Sequence, residues 1–285
     1  TERLIFFSLE IKLILSSSST SETCWGVVNQ SEIFGKGTVI IKQTGKNTGV
    51  GYMNTTSIAA DDIQITSDNY YGVYAEDKSN HTYDANSAET GKISVTSTNK
   101  NAVYVSGDSS ATFKNFATLT ITSNKETKSG YAINNNGGTL SINGGTVDLT
   151  STGQTALCSM SSNANTTIVA KTVTVKSLDV DIAANDEDAH RKADAIVAKA
   201  GTLNITTDDF TSTVEAAKDC PNCAPVHALA VKDSGVLNIK AGTSTINGDV
   251  QATGGELGLT SDSLTVNGNV EIAEAAKAPL TFNGA

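Results

Sequence analysis

The sequence predicts an all-β fold, a right-handed parallel β-helix with about three short strands in each coil. Three short phrases recur in a fixed cyclic order, and equivalent serines of the first phrase lie 30, 26, 28 and 26 residues apart. Each phrase alternates apolar and polar side chains, as a strand with one buried face does. The composition agrees, because Thr, Ser, Asn and Gly are abundant beside Val and Ile, whereas aromatic residues make up only 5%.

The first phrase is an apolar-x-apolar triplet that ends in Thr-Ser or Lys-Ser. It occurs five times, at 63–67, 93–97, 119–123, 147–151 and 173–177. Strands of an antiparallel sandwich also alternate, but they do not repeat one phrase at a nearly constant spacing. We therefore expect equivalent phrases to stack in parallel, about 4.8 Å apart.

The other two phrases complete each coil. The second is a short apolar or aromatic run, found at 72–75, 102–105, 131–133, 156–158, 195–198 and 228–231. The third, Gly-x-Leu-x-Ile, is found at 138–142, 201–205 and 235–239. Asn-Gly pairs such as Asn143-Gly144 follow strands and suit the turns between them. The right-handed form is expected because parallel crossovers are overwhelmingly right-handed.

The chain divides into two parts. Residues 1–35 are expected to hold a capping strand and a Ser-rich connection, and residues 36–285 to form the β-helix, as part of a longer chain. Apolar residues alternate from Leu9 to Leu15, which predicts the strand, and the serine run Ser16–Ser19 predicts the connection. The apolar stretch is too short to cross a bilayer, so we expect no stable membrane insertion of this segment.

The charge excludes two classes of partner. The formal net charge is −10, and Arg3 and Arg191 are the only arginines. Nucleic-acid binding depends on phosphate neutralisation by Lys and Arg, so nucleic acid is not an expected partner. Anionic lipid is excluded for the same reason.

Cysteine spacing suggests one covalent link. Of the four cysteines, Cys220 and Cys223 lie in a Pro- and Asn-containing segment that predicts a surface turn, and a local disulfide between them is the first interpretation. Free thiols and a zinc site completed by His227 are the alternatives. Zinc motifs normally show a second ligand pair, which is missing here, so we expect neither metal nor cofactor.

Two coils are longer than the rest and predict protruding loops. Their extra residues fall at 182–193 and 215–226. Because insertions in a solenoid are pushed outward and often carry function, Asp186, Glu187 and Asp188 are candidate binding residues. The alternative is that both loops are simply solvated.

A concentration of tyrosines in the early coils suggests a second binding surface. If Tyr70, Tyr71 and Tyr83 face outward, their rings could stack on sugars or on a protein partner. Packing within the core is the alternative interpretation.

Catalysis is not expected. Many β-helices act on polysaccharides with two carboxylates that face one cleft. The candidate pairs here, Asp61-Asp62 and Asp208-Asp209, are neighbours along the chain, and neighbours on a strand point to opposite faces. The acidic run at 186–188 is no more specific.

The repeats carry a family resemblance. With its Gly-Thr-Leu-x-Ile phrases at 138–142 and 201–205, its Asn-Gly turns and its Ser/Thr/Asn-rich outer face, the segment 36–285 resembles the passenger domains of bacterial autotransporters and related β-helical surface adhesins. The resemblance implies export across the outer membrane, a rod-like β-helix, and a role in adhesion, aggregation or biofilm.

We therefore expect an extracellular adhesin or interaction module, displayed on a bacterial cell surface and without catalytic activity. Its partner would be a host or neighbouring-cell protein or glycan, or copies of itself. One alternative is a self-assembling structural subunit of an extracellular filament or surface layer, with the N-terminal strand as the joint. A second alternative is a polysaccharide-degrading β-helix enzyme.

Overall fold

The computed structural model shows an all-β chain. It describes residues 3–5, 11–17, 32–44, 49–51, 55–124, 130–152, 154–178, 194–215, 225–278 and 280–282, with backbone alone for the first two ranges and the last. These residues form strands and turns, and none of them is helical. Within the described ranges no helix could therefore span a membrane.

The described strands form two sheets in which every pairing between strands is parallel. The first sheet contains β1 (Arg3–Ile5), β2 (Ile11–Ser17), β3 (Glu32–Phe34), β4 (Gly37–Gln43), β6 (Thr56–Ala59), β7 (Asp62–Ser67), β9 (Asn80–Asp84), β10 (Lys92–Ser97), β12 (Ser110–Lys114), β13 (Thr118–Ser123), β15 (Thr139–Thr152), β17 (Asn165–Leu178), β19 (Thr202–Val214), β21 (Val236–Asn247), β23 (Glu256–Asn267) and β25 (Leu280–Phe282). The second contains β5 (Val50–Gly51), β8 (Val73–Ala75), β11 (Val103–Ser106), β14 (Ile133–Asn136), β16 (Leu157–Ser159), β18 (Ile196–Ala198), β20 (His227–Val231), β22 (Asp249–Ala252) and β24 (Val270–Ile272).

The first sheet begins as two series of short strands, in each of which a strand pairs with the next. We call each such series a file. The sheet ends as one file of long strands. Strands β9 and β12 belong to one file, and β10 and β13 to the other. Both files pair with β15, which is long enough to continue the two of them. From β15 onward each long strand pairs with the next along its whole length.

The three phrases of the sequence lie in register, as predicted. Ile93 of the first phrase pairs with Ile63 on one side and with Leu119 on the other. Its closing serines pair in the same series, Ser67, Ser97, Ser123, Ser151 and Ser177. The second phrase aligns likewise in β8, β11, β14, β16, β18 and β20, and the third in β15, β19 and β21. The predicted parallel stacking of equivalent phrases is therefore confirmed.

Inward positions of the strands build one apolar core. Along the first file, the inward residues in successive strands are Ile58, Tyr83, Phe113 and Ile142, and all four are buried. The rings of Tyr83 and Phe113 stack with centroids 4.8 Å apart. Stiff β-branched and aromatic side chains suit such a column because each strand presents the same pleat to the next.

The turn expected at Asn143-Gly144 is not formed, because both residues lie within β15, and a glycine at 144 is required there by close approach to a neighbouring ring. A Cβ atom at this position would lie 2.6 Å from the ring of Phe116 on the preceding repeat. The main chain of β15 therefore passes against that ring, which only a residue without a side chain allows.

The N-terminal apolar strand packs on its own chain. Strand β2 pairs in parallel with β4 from Ile11–Gly37 to Ser17–Gln43. Ser16 and Ser17, expected in the connection, instead continue this strand.

Buried serines close the corner between the two sheets. Ser97 lies at the inward end of β10 and donates its hydroxyl hydrogen to the carbonyl oxygen of Tyr70, 2.6 Å away. Ser123 and Ser177 make the equivalent bonds to the carbonyls of Lys100 and Gln154. In these three phrases the closing serine thus satisfies a main-chain carbonyl of the preceding corner.

We expect Ser97→Ala to lower the free energy of unfolding by about 1–3 kcal/mol, because it leaves the partly buried carbonyl of Tyr70 without this donor. Denaturant unfolding measures the change. Ser94→Ala on the outward face of the same strand is the matched control and should change stability by less than about 0.5 kcal/mol. Equal effects of the two variants would contradict the role given to Ser97.

Candidate functional site: a tyrosine cluster on the second sheet

Four tyrosines lie together on the outer side of the second sheet, and we call them the tyrosine cluster: Tyr70, Tyr71, Tyr74 and Tyr104. Tyr74 and Tyr104 occupy the outward middle positions of β8 and β11 and are register partners. Tyr70 and Tyr71 come from the corner that precedes β8. The period-2 alternation turns Tyr74 outward because Val73 and Ala75 face the core.

The rings of the cluster contact one another closely. Tyr71 stacks on Tyr74 with centroids 4.6 Å apart and planes 3° from parallel. Tyr104 stacks on both, at 5.2 Å from Tyr71 and 5.4 Å from Tyr74. Tyr70 meets Tyr71 edge-on at 4.4 Å. These are the favoured geometries of aromatic pairs, so the rings hold one another in place.

Polar neighbours fix the rim of the cluster. The ammonium of Lys100 lies 5.9 Å from the centroid of the Tyr70 ring. The Asn136 side-chain amide donates to the hydroxyl of Tyr104 at 3.2 Å, and the Tyr74 hydroxyl donates to the Glu76 carboxylate. Burial, together with the charge of Glu76, raises the pKa of Tyr70 above its ordinary value. The Tyr70 phenol therefore stays protonated and keeps its donor hydrogen.

All four tyrosines are half-buried, so each keeps part of its surface accessible to solvent. A preorganised group of amphipathic rings can contact the apolar face of a sugar or a protein side chain and can form hydrogen bonds through its hydroxyls. Little side-chain entropy is lost when such rings bind, because they are already held by their stacking.

The structure brings together two of the three tyrosines predicted as binding residues. Tyr70 and Tyr71 are in the cluster. The suggestion that Tyr83 faces outward is wrong: it is buried, because it takes an inward position of β9 against Phe113. Burial also raises its pKa well above the ordinary value. Sequence reasoning missed Tyr74 and Tyr104 as site residues, although their equivalent places in the second phrase already aligned them.

The remaining predicted site residues lie outside the described ranges. These are Asp186, Glu187 and Asp188 of the first long loop, and Cys220 and Cys223 of the second. The proposed disulfide and the acidic binding loop therefore stay predictions.

His227, the third ligand of the alternative zinc site, is engaged with a carboxylate. Asp194 accepts the main-chain N–H of His227 at 2.7 Å, and the same oxygen lies 3.0 Å from the ring Nδ1. Its other oxygen accepts from Lys232 at 3.1 Å. Although burial opposes ionisation, these bonds lower the pKa of Asp194 below its ordinary value. Across the described residues, no cluster of three or more His, Cys, Asp or Glu side chains could hold a metal ion.

The Asp61-Asp62 carboxylate pair contributes to turns and strand ends. Asp61 accepts the main-chain N–H of Gly37 at 3.0 Å and the side-chain amide of Asn86 at 3.2 Å. Asp62 accepts from the side chain of Gln64 at 2.7 Å. The bonds of Asp61 therefore join the first residue of β4 to the segments that precede β7 and β10.

Comparison with known proteins finds no match to this chain among family models, curated proteins or solved structures. The geometry of the tyrosine cluster, and not a relative, is therefore the basis for the functional proposal.

Proposed function

We propose that the chain is an extracellular, surface-displayed interaction module that binds a protein or glycan of a host or neighbouring cell through the tyrosine cluster, without catalysis. The observation that carries this proposal is the group of four half-buried tyrosines on an outward face, three with stacked rings and the fourth edge-on. Tyrosine is enriched where proteins bind, because it combines a large apolar ring with a hydroxyl and has few rotatable bonds.

The scaffold that we propose is a right-handed parallel β-helix with about three strands in each coil. Its support is the parallel pairing of equivalent phrases and the two strand files of the first sheet beside the single file of the second. A chain that returns repeatedly to the same three files must wind around the core. Right-handed winding is the preferred hand of parallel crossovers.

Display is favoured over end-to-end assembly by the N-terminal strand. A polymer subunit that donates this strand would leave it free to pair with a neighbour. Here β2 pairs with β4 of the same chain over seven residue pairs, Ile11–Gly37 to Ser17–Gln43. The strand is therefore engaged within the monomer.

The double variant Tyr71→Ser/Tyr104→Ser tests the proposed surface. We expect it to weaken binding by about thirtyfold, or about 2 kcal/mol, because it removes two central rings of the stack. Binding of the purified chain is measured on an array of cell-surface glycans and on intact epithelial and bacterial cells, before and after glycosidase treatment. Loss of cell binding after the treatment would identify the partner as a glycan.

Tyr83→Phe is the matched control, since it also changes a tyrosine but leaves the surface intact. Circular dichroism should show the same β-sheet content in the control and in the double variant. Binding that survives the double variant unchanged, with the fold intact, would refute the cluster as the binding surface.

A further inference from the structure

A second surface on the same sheet lies beyond the tyrosine cluster. In register with Tyr104, the outward positions of the following strands are Asn134, Cys158, Val197 and Ala230. The last three form a small apolar cluster separate from the main core, and we call them the apolar patch. Outward positions of the first sheet are mostly Thr, Ser, Asn and Lys instead, so three successive apolar residues depart from the pattern of this chain.

The apolar patch, in which Cys158 and Ala230 are fully buried and Val197 is 8% exposed, borders a cavity of about 340 Å³. Cys158 and Val197 line it, with Tyr131 and Met160 packed against the patch. This volume falls within the range of small-molecule pockets. Burial raises the pKa of the Cys158 thiol, and burial followed by the neighbouring Cys158 raises the pKa of Tyr131 to about 12. The thiol and the phenol of the cavity wall are therefore uncharged at neutral pH.

Charged side chains complete the cavity on one side. Lys199 and Lys232 follow equivalent positions of β18 and β20, because Ala198 pairs with Val231. Asp194 holds Lys232 through the 3.1 Å ion pair and is itself fixed by His227. Lys199 is exposed, and no carboxylate of the described residues lies within ion-pair distance of it. Among the described residues, Lys199 is thus a cation of the cavity without a carboxylate partner, in a chain whose net charge is −10.

We propose that this cavity binds a small ligand with an apolar ring body and a single anionic group. The body lies over the buried patch and packs against Tyr131 and Met160, two half-buried side chains that also line the cavity, and this contact removes their apolar surface from water. The anion pairs with Lys199, and Lys232 lies beside it. A carboxylate and a sulfonate have the same recognition chemistry here, since each offers oxygen acceptors to an ammonium.

The test uses two fluorescent probes that share one ring system. Anilinonaphthalene sulfonate carries the anion, and N-phenylnaphthylamine has the same rings without it. We expect the wild-type chain to bind both, with the sulfonate bound more tightly. Lys199→Glu should weaken sulfonate binding by about tenfold, because it replaces attraction by repulsion, and should leave the affinity for the neutral amine unchanged.

Two further variants make the result specific. Lys171→Glu makes the same charge change on an exposed lysine of the first sheet and should leave the affinity for both probes unchanged. Val197→Trp places a large side chain in the cavity and should reduce the affinity for both probes by at least about tenfold, with the β-sheet content checked by circular dichroism.

Three results would overturn the proposal. The first is no binding of the sulfonate by the wild-type chain. The second is equal weakening by Lys199→Glu and Lys171→Glu, which would show an effect of net charge without a site. The third is unchanged binding by a folded Val197→Trp variant, which would place the probes elsewhere. None of these outcomes depends on the tyrosine cluster.

Discussion

Replacing Phe113 with alanine is expected to lower the free energy of unfolding by about 3–5 kcal/mol. The ring is fully buried, stacks on Tyr83 at 4.8 Å and pairs in register with Tyr83 and Ile142. Truncation removes the contacts of a whole ring and leaves a cavity between two rigid, hydrogen-bonded strands that cannot collapse into it. Denaturant unfolding followed by circular dichroism measures the loss.

The matched control is Thr112→Ala, one residue earlier on the outward face of β12. It should change stability by less than about 0.5 kcal/mol. Hydrogen exchange should show that Phe113→Ala also weakens protection in β9 and β15, because each repeat is stabilised by its immediate neighbours. A loss below about 1 kcal/mol would contradict the packing described for this column.

Acidification is expected to cost the fold about 3 kcal/mol through His81 alone. This side chain takes an inward position of β9, and burial lowers its pKa from 6.5 to about 4. Its ring Nε2 lies 3.2 Å from the Ser79 hydroxyl, while Nδ1 has no hydrogen-bond partner. A second proton on this ring would therefore bring an unpaired charge into the core.

The sign of the pH effect follows from the two pKa values. Below pH 6.5 the unfolded chain binds a proton at His81 that the folded chain does not bind until the pH approaches 4. Stability therefore falls as the pH is lowered through this window and the contribution is constant below it. The lowered pKa values of Asp84 and Asp194 lie below the ordinary value of 3.8, so their contribution is lost in more acidic solution.

His81→Leu should flatten the dependence of unfolding free energy on pH between 6.5 and 4. The variant also changes the stability at neutral pH, because Ser79 loses a hydrogen-bond partner. The quantity compared is therefore the slope with pH and not the absolute free energy of unfolding. Thr82→Leu introduces the same side chain on the outward face and should keep the wild-type slope. If the slope in the His81→Leu variant equals that of the wild type, another group is responsible for the acid sensitivity.

Much of the strand arrangement follows from the sequence, because the apolar-polar pattern that specifies each strand is local and is repeated along the chain. The triplet that contains Ile93 and the serine that follows it recur at nearly constant spacing, and the structure pairs their equivalents residue by residue. Period-2 alternation also decides which side chains face the core, since a register shift of one residue would expose every apolar side chain. The parallel direction follows because equivalent phrases meet in the same orientation.

The same periodicity could have placed Tyr83. It is in register with Ile58 and Phe113, but the Gly-x-Leu-x-Ile phrase occurs only from Gly138 onward, so the sequence does not align β9 and β12 with it. Without that alignment, a polar Asn80–Asp84 strand gives no sign of which face is inward, because His81 and Tyr83 are amphipathic. Only the structure, in which Tyr83 is buried next to Phe113, shows which face of β9 is inward.

The sequence by itself thus determined the strands of the repeated phrases, their parallel register and two members of the tyrosine cluster. The tertiary structure alone decided that Asp194 meets His227 and that Cys158, Val197 and Ala230 form an outward apolar patch. These contacts join residues more than 30 positions apart, at spacings that the long loops make irregular. A periodic pattern fixes what repeats, whereas contacts across irregular insertions depend on where the chain re-enters the sheet.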